Sequence, residues 1–175
     1  MNEQVNKAIL ELAELRKKGF PYGYYEGMAL GGLPNTGRAG FTSIATLDQL
    51  YAVLRKAWNN RTCFKSCQYS WNPSDPSYGQ CTITAALVHD MFGGTIRKIW
   101  NKDRSTHYFN EIRGVYVDLT REQFYLYNLP CHNEPNKLID RAHTCRTGDA
   151  GMRFRRLVKS IEEYLKEDSS QVKLI

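Results

Sequence analysis

The stretch GQCTITAALVHDMFGG, residues 79–94, decides the fold of this 175-residue chain. Between Cys81 and Phe92 it is almost entirely apolar, and two glycines follow at the position where helices commonly end. A helix that is apolar on every side has to be buried. The stretch therefore predicts a central helix over 81–92, and the rest of the chain must supply the layers that cover it.

Strand and helix patterns on both sides of this stretch supply those layers. Three runs rich in β-branched and aromatic residues follow it, at 95–100, 105–112 and 115–120. The breaks between them are short, which predicts an antiparallel meander. Apolar periodicity and caps predict amphipathic helices over 5–15, from the capping-box pair Thr46 and Gln49 to 58, and over 154–165.

Together these elements predict an α+β fold, in which a central helix packs on a small antiparallel sheet with flanking helices at both termini. The length suits a single domain over 1–175. Within it, residues 1–45 are expected to form an N-terminal helix and a Gly-rich loop extension, and residues 46–166 the core. Residues 125–150 show only a short helix near Lys137.

Composition and charge reduce the number of functional classes to which the chain can belong. Hydrophobic residues make up 42% and charged residues 24%, as in globular proteins, and no apolar run approaches the roughly 20 residues of a membrane span. The net charge is +6, but the basic residues are scattered, which argues against nucleic acid as the partner. The densest group of basic residues, Arg153, Arg155 and Arg156, is expected on a helix surface.

The sequence shows no signal-peptide pattern and has an odd number of cysteines. We therefore expect a cytoplasmic protein with reduced thiols.

A cysteine at the first turn of a buried helix is the strongest chemical signal. The thiolate is the nucleophilic form, and the unpaired N–H groups at a helix N-terminus stabilise it, so Cys81 is expected to have a lowered pKa. Gly79 in the preceding loop leaves room for an extended substrate. The backbone N–H of Cys81, together with the Gln80 amide, is expected to bind the oxyanion formed when the sulfur attacks a carbonyl.

A nucleophilic cysteine needs a base, and the base needs a group that orients it. His107 lies on the middle predicted strand and Asp118 on the next. Side chains alternate along a strand, so any hairpin loop of even length places both on one face. A two-residue loop at Arg113 and Gly114 makes them diagonal neighbours, and a four-residue loop makes them direct partners.

Several strings resemble one known family. The segment from Trp71 to Pro76, then GQCTITAALVHDMFGG, HYFN and VDLTREQF, is similar to the YunG-like family of small bacterial proteins, whose layout resembles papain-like thiol enzymes, including transglutaminase-like hydrolases. At the place of the papain oxyanion glutamine this chain has Asp75.

The resemblance implies a nucleophile at Cys81, a general base and acid at His107 and an orienting carboxylate at Asp118. Asn110 is a candidate supporting group. Thr120 and Gln123 are further candidates of the same kind. The predicted activity is that of a thiol-dependent hydrolase or acyl transferase acting on a peptide or small amide, with no cofactor.

Two other functions compete with this one. The first is a non-catalytic binding or regulatory module of the same fold, which predicts a Cys81 sulfur too far from His107 to share a proton. The second is a zinc-stabilised binding domain, because tetrahedral zinc takes cysteine and histidine ligands. The candidate ligands are Cys63, Cys67, Cys131, His132, His143 and Cys145.

Overall fold

The computed structural model describes residues 30–100, 104–124 and 136–172. The predicted helix over 5–15 lies outside these residues. Within the described ranges, no helix is long and apolar enough to cross a membrane.

Helices and a small sheet make up the described part of the chain, and the predicted α+β class is confirmed. The α-helices are α1 (Leu47–Ala57), α2 (Cys81–Phe92), α3 (His143–Arg146) and α4 (Ala150–Val172). The strands are β1 (Thr95–Trp100), β2 (Thr106–Ile112), β3 (Val115–Val117) and β4 (Lys137–Ile139). Short 3₁₀ helices cover Lys65–Cys67 and Arg121–Phe124.

Helix α2 begins and ends at the predicted residues. Gly93, at φ +76°, closes it, and its N–H donates to the His89 carbonyl at 2.9 Å. Only the first residue and two residues near the end are partly exposed, as expected for a helix without a polar face. Helix α2 contacts β2 on one side and α4 on another.

Helix α1 is capped by the predicted pair. The Thr46 hydroxyl accepts a hydrogen bond from the Gln49 N–H at 3.3 Å, and the Gln49 side chain accepts one from the Ala45 N–H at 2.7 Å. Helix α1 then packs on α4. The main core joins these two helices to α2 and the sheet, with fully buried side chains at Leu50, Leu54, Ile83, Leu87, Met91, Leu157 and Ile161.

The sheet has the order β3-β2-β1-β4, and each neighbouring pair is antiparallel. The predicted meander of three strands is confirmed. Ile112 pairs with Val115, so the β2–β3 loop has two residues, Arg113 and Gly114. Strand β3 is shorter than predicted because the chain turns at Asp118, whose side chain accepts hydrogen bonds from the residue two positions later.

Two local predictions are wrong. Residues 137–139 form an edge strand paired with β1 rather than a short helix, because pairing with a long neighbour outweighs the weak local pattern. Arg153 is buried, with 1% exposure, rather than on the surface. Its guanidinium is satisfied there: it donates to Asp149 at 2.7 Å and to the Thr62 carbonyl at 3.3 Å, and lies 5.3 Å from the centre of the Phe64 ring.

Strand β2 is buried on both faces. Tyr108 and Asn110 are 3% and 2% exposed, and so are the alternating His107 and Phe109 at 1% each. The Asn110 amide donates to the Ala85 carbonyl of α2 at 2.9 Å, which fixes one face against the helix. The face that carries His107 is therefore also closed to bulk water.

We predict that Thr46→Ala lowers the stability of the protein by about 1 kcal/mol, because the first turn of α1 loses its side-chain acceptor. For a chain of this size, the expected fall in Tm is about 2–4 °C. Thermal unfolding followed by circular dichroism measures it. Thr46→Ser keeps the hydroxyl and is expected to match the wild type, and an equal loss in both variants would contradict the capping role.

Candidate active site

Cys81 is the first residue of α2 and is half-buried, whereas the residues that follow it are buried. Its side chain packs against a small apolar cluster that includes Ala85, Ile96 and Tyr108. Because it opens the helix, its backbone N–H has no helical carbonyl to pair with and points toward the N-terminal end. A half-buried cysteine at this end of the helix is where the sequence predicted a nucleophile.

His107 and Asp118 form a short, buried contact. His107 Nε2 lies 2.7 Å from Asp118 Oδ2, and each side chain is 1% exposed. The two-residue β2–β3 loop places Asp118 beyond the end of β3, diagonal to His107, which is one of the two registers predicted from the sequence. The burial of both groups excludes water from their hydrogen bond and strengthens it.

The second oxygen of the Asp118 carboxylate, Oδ1, also accepts hydrogen bonds. The backbone N–H and the hydroxyl of Thr120 donate to Oδ1 at 3.1 and 3.0 Å. Hydrogen bonds to the charged form favour it, so these donors keep the carboxylate ionised. An ionised Asp118 makes Nε2 of His107 the protonated nitrogen, since only that arrangement gives the contact a donor.

The contact of His107 with Asp118 determines which ring nitrogen remains for the Cys81 thiol. The Cys81 side chain hydrogen-bonds to His107, and Nε2 is taken by Asp118, so Nδ1 is the nitrogen left for the thiol. The Gln123 amide lies 3.5 Å from Nδ1 and donates to the Thr120 carbonyl at 2.9 Å. The structure thus brings Cys81, His107 and Asp118 into one hydrogen-bonded group.

The pKa values of this group shift in opposite directions. Burial raises the pKa of the Cys81 thiol, but the hydrogen bond and positive charge of His107 and the backbone N–H of Tyr108 outweigh it, so the thiol pKa is lowered. Burial lowers the pKa of His107, and the charge and hydrogen bond of Asp118 outweigh it, so the imidazole pKa is raised. These directions favour a thiolate beside an imidazolium.

The other two predicted site residues, Gln80 and Asn110, donate hydrogen bonds to backbone carbonyls. The Gln80 side chain is fully buried, and its amide nitrogen donates to the Asn59 carbonyl at 3.2 Å, which leaves at most one amide hydrogen for an oxyanion. Asn110 donates to the Ala85 carbonyl and so links the sheet to α2. The backbone N–H of Cys81 is therefore the stronger oxyanion donor of those expected from the sequence.

The loop before α2 is closely folded. The Trp71 indole donates to the Pro76 carbonyl at 3.1 Å, and Asp75 accepts from the Ser77 hydroxyl at 3.3 Å. Burial raises the pKa of Asp75 to about 6, and the hydrogen bond from Ser77 only partly offsets it. Asp75, expected from the sequence at the place of an oxyanion donor, is therefore a carboxyl whose ionisation is disfavoured by burial.

The candidate zinc ligands do not assemble in the described part of the chain, where no three histidine, cysteine or acidic side chains lie close enough to hold a metal ion. Cys63 and Cys67 contact each other. Cys145 accepts from Arg141 at 2.8 Å, and the His143 ring lies beside the Tyr108 hydroxyl. Cys131 and His132 lie outside the described residues.

Sequence reasoning missed the role of Tyr108. Its backbone N–H stabilises the Cys81 sulfur, and its hydroxyl lies 3.4 Å from His143 Nε2. Every residue except proline has a backbone N–H, so a backbone donor cannot be recognised from the residue type. The only available signal was its place next to His107 on a strand.

The comparison with known proteins identifies the family. A family model described as "YunG protein" matches residues 46–166. The chain belongs to the YunG family. The membership expected from the sequence strings is therefore confirmed.

A curated YunG relative gives the same result over a shorter range. "Uncharacterized protein YunG" of Bacillus subtilis (strain 168) is 38% identical over 78 residues, which are 45% of this chain and 63% of the relative. The match thus spans less than two thirds of the relative's length. No solved structure matches the chain. The wider resemblance to papain-like enzymes has no support among these matches.

We predict that Asn110→Ala in this YunG-family chain lowers stability by about 0.5–1.5 kcal/mol, because the buried hydrogen bond between the sheet and the Ala85 carbonyl is lost. Urea unfolding measures the loss. The rate at which iodoacetamide alkylates Cys81 at neutral pH is expected to stay within twofold of wild type. A large loss of alkylation with unchanged stability would instead place Asn110 in the environment of the sulfur.

Proposed function

We propose that the protein is a thiol-dependent hydrolase or acyl transferase that acts on an amide or peptide bond through Cys81, His107 and Asp118. The observation that carries this proposal is the position of His107, which hydrogen-bonds to the sulfur of half-buried Cys81 on one side and to a buried carboxylate on the other. A histidine placed in this way can take a proton from the thiol and return it later.

The first step is activation of the sulfur. The Cys81 proton moves to Nδ1 of His107, and the resulting imidazolium is stabilised by Asp118 at Nε2. The N-terminal end of α2 and the Tyr108 N–H stabilise the thiolate. The lowered thiol pKa and the raised imidazole pKa both support this proton transfer near neutral pH.

The acyl transfer then follows from the same groups. The thiolate attacks the carbonyl carbon, and the oxyanion is bound at the backbone N–H of Cys81. When the tetrahedral intermediate collapses, the C–N bond breaks and His107 gives its proton to the leaving amine. Water, or an acceptor amine or hydroxyl, loses a proton to His107 as it attacks the acyl-enzyme, and the sulfur leaves as thiolate.

A papain-like architecture is part of this proposal. A cysteine that opens a helix, followed by a histidine and an acid on successive antiparallel strands, is the order that papain-like and transglutaminase-like enzymes share. A binding module of this fold would not need a proton-sharing contact between Cys81 and His107, so that contact favours the enzyme.

The pH dependence of alkylation tests the activated sulfur. In the wild type, we expect iodoacetamide to modify Cys81 at a rate that falls less than threefold between pH 8 and pH 6, because the thiolate persists below the usual thiol pKa of about 8.5. In His107→Asn, the hydrogen bond and charge of the imidazole no longer oppose the effect of burial on the thiol pKa, and the rate is expected to fall about tenfold for each pH unit. Exposed Cys145 serves as the internal control, because its rate should not respond to His107→Asn. Equal profiles for both thiols would overturn the proposal.

Acyl transfer itself is tested with p-nitrophenyl acetate as a generic acyl donor. We expect one acetyl group on Cys81 by mass spectrometry and a burst of p-nitrophenol, followed by slower turnover. Cys81→Ser should remove the adduct, and Asp118→Asn should slow acylation at least tenfold, because His107 loses the group that stabilises its charge. Asp140→Asn changes an acid that is 72% exposed and should leave the burst unchanged. An acetyl group that stays on without turnover, or that forms on other thiols, would count against a hydrolase.

A further inference from the structure

Two cysteines outside the candidate active site meet beneath the loop that leads into α2. Cys63 and Cys67 are four residues apart, and the 3₁₀ turn between them is closed by a hydrogen bond from the Cys67 N–H to the Phe64 carbonyl at 2.8 Å. We propose that Cys63 and Cys67 form a redox-active dithiol, a site that a hydroperoxide oxidises to a disulfide.

The packing around Gly79 shows how close the sulfurs are. A Cβ on Gly79 would lie 2.7 Å from the Cys63 sulfur and 3.2 Å from the Cys67 sulfur, so the sulfurs lie within about 6 Å of each other. The two thiols also hydrogen-bond to each other. Because Gly79 has no side chain, the space beside both sulfurs stays open, and the proposed disulfide requires the two side chains to rotate until the sulfurs reach bonding distance.

The two thiols differ in exposure and in protonation. Cys63 is fully buried, and its sulfur lies 3.1 Å from the Tyr78 carbonyl, whereas Cys67 is partly exposed. The hydrogen bond from Cys63 lowers the pKa of Cys67 to about 6, and the charge of buried Arg153 contributes. The same hydrogen bond and burial raise the pKa of Cys63. Cys67 is therefore the attacking thiolate, and Cys63 is the thiol that resolves the product.

The chemistry balances with hydrogen peroxide as the oxidant. The Cys67 thiolate attacks one peroxide oxygen; the S–O bond forms, the O–O bond breaks, and the released hydroxide takes the proton that Cys67 had lost. The Cys63 sulfur then attacks the Cys67 sulfenic acid, the S–S bond forms, and hydroxide leaves with the Cys63 proton as water. Two thiol hydrogens and two electrons pass to the peroxide, which gives two waters.

The experiment treats the folded full-length chain with one equivalent of hydrogen peroxide and blocks the remaining thiols with N-ethylmaleimide. Trypsin with an Asp-specific protease separates the cysteines, because Cys63 lies in the fragment 62–65, Cys67 in 66–74, and Cys81 in a fragment that starts at Asp75. We expect fragments 62–65 and 66–74 to be joined, with the loss of two hydrogens, and to separate on reduction.

Three variants test the role of each cysteine. Cys63→Ser should stop at a Cys67 sulfenic acid that dimedone traps, and Cys67→Ser should leave Cys63 unoxidised. Cys145→Ser removes an exposed thiol that lies beside Arg141 and should leave the crosslink unchanged. The proposal is overturned if both fragments carry N-ethylmaleimide after peroxide, or if Cys67 joins the Cys81 fragment. Because the readout does not involve turnover, its failure is independent of any failure of the proposed hydrolase.

Discussion

The burial of an imidazole and a carboxylate is the constraint on which the rest of the site depends. Water solvates both groups strongly, and moving an ion into a protein interior costs several kcal/mol. His107 and Asp118 meet that cost through their 2.7 Å contact and the two donors of Thr120. This arrangement requires β3 to end at Val117, so that Asp118 can turn toward Thr120 and still reach the histidine.

Because β2 is buried on both faces, the position of helix α2 is also tied to the strand that carries His107. One face carries Asn110 and Ile112 against α2 and the core, and the other carries His107. Helix α2 packs along β2, with the hydrogen bond from Asn110 to Ala85 as one of several contacts, and its first turn therefore lies beside the backbone N–H of Tyr108. The position of Cys81 is thus a result of sheet packing as much as of helix capping.

Long, regular patterns made most of the fold predictable. The almost entirely apolar run predicted α2 to the residue, and the pair Thr46 and Gln49 predicted the start of α1. Alternation placed His107 and Asp118 on one face for a β2–β3 loop of even length. Short or tertiary features were not predictable. Residues 137–139 become a strand only because β1 offers an edge, and Arg153 is buried only because Asp149 and the Thr62 carbonyl satisfy it.

The candidate site also has features that could be predicted from the sequence and features that could not. Its side chains could be named from residue type and order, because nucleophile, base and acid have recognisable chemistry. The backbone donors of the site could not be predicted. The contact between Cys63 and Cys67 could not be predicted either, since the spacing of two cysteines is the same whether they bind a metal or contact each other.

Gly79 has a consequence for how sequences of this family can diverge. Its φ of +71° is tolerated by few side chains, and a Cβ at this position would lie 2.7 Å from the Cys63 sulfur and 2.8 Å from the Cys67 Cβ. Even asparagine, which accepts such a backbone better than most, would collide with them. The three positions therefore constrain one another: a side chain at position 79 requires the segment that carries Cys63 and Cys67 to move away from it.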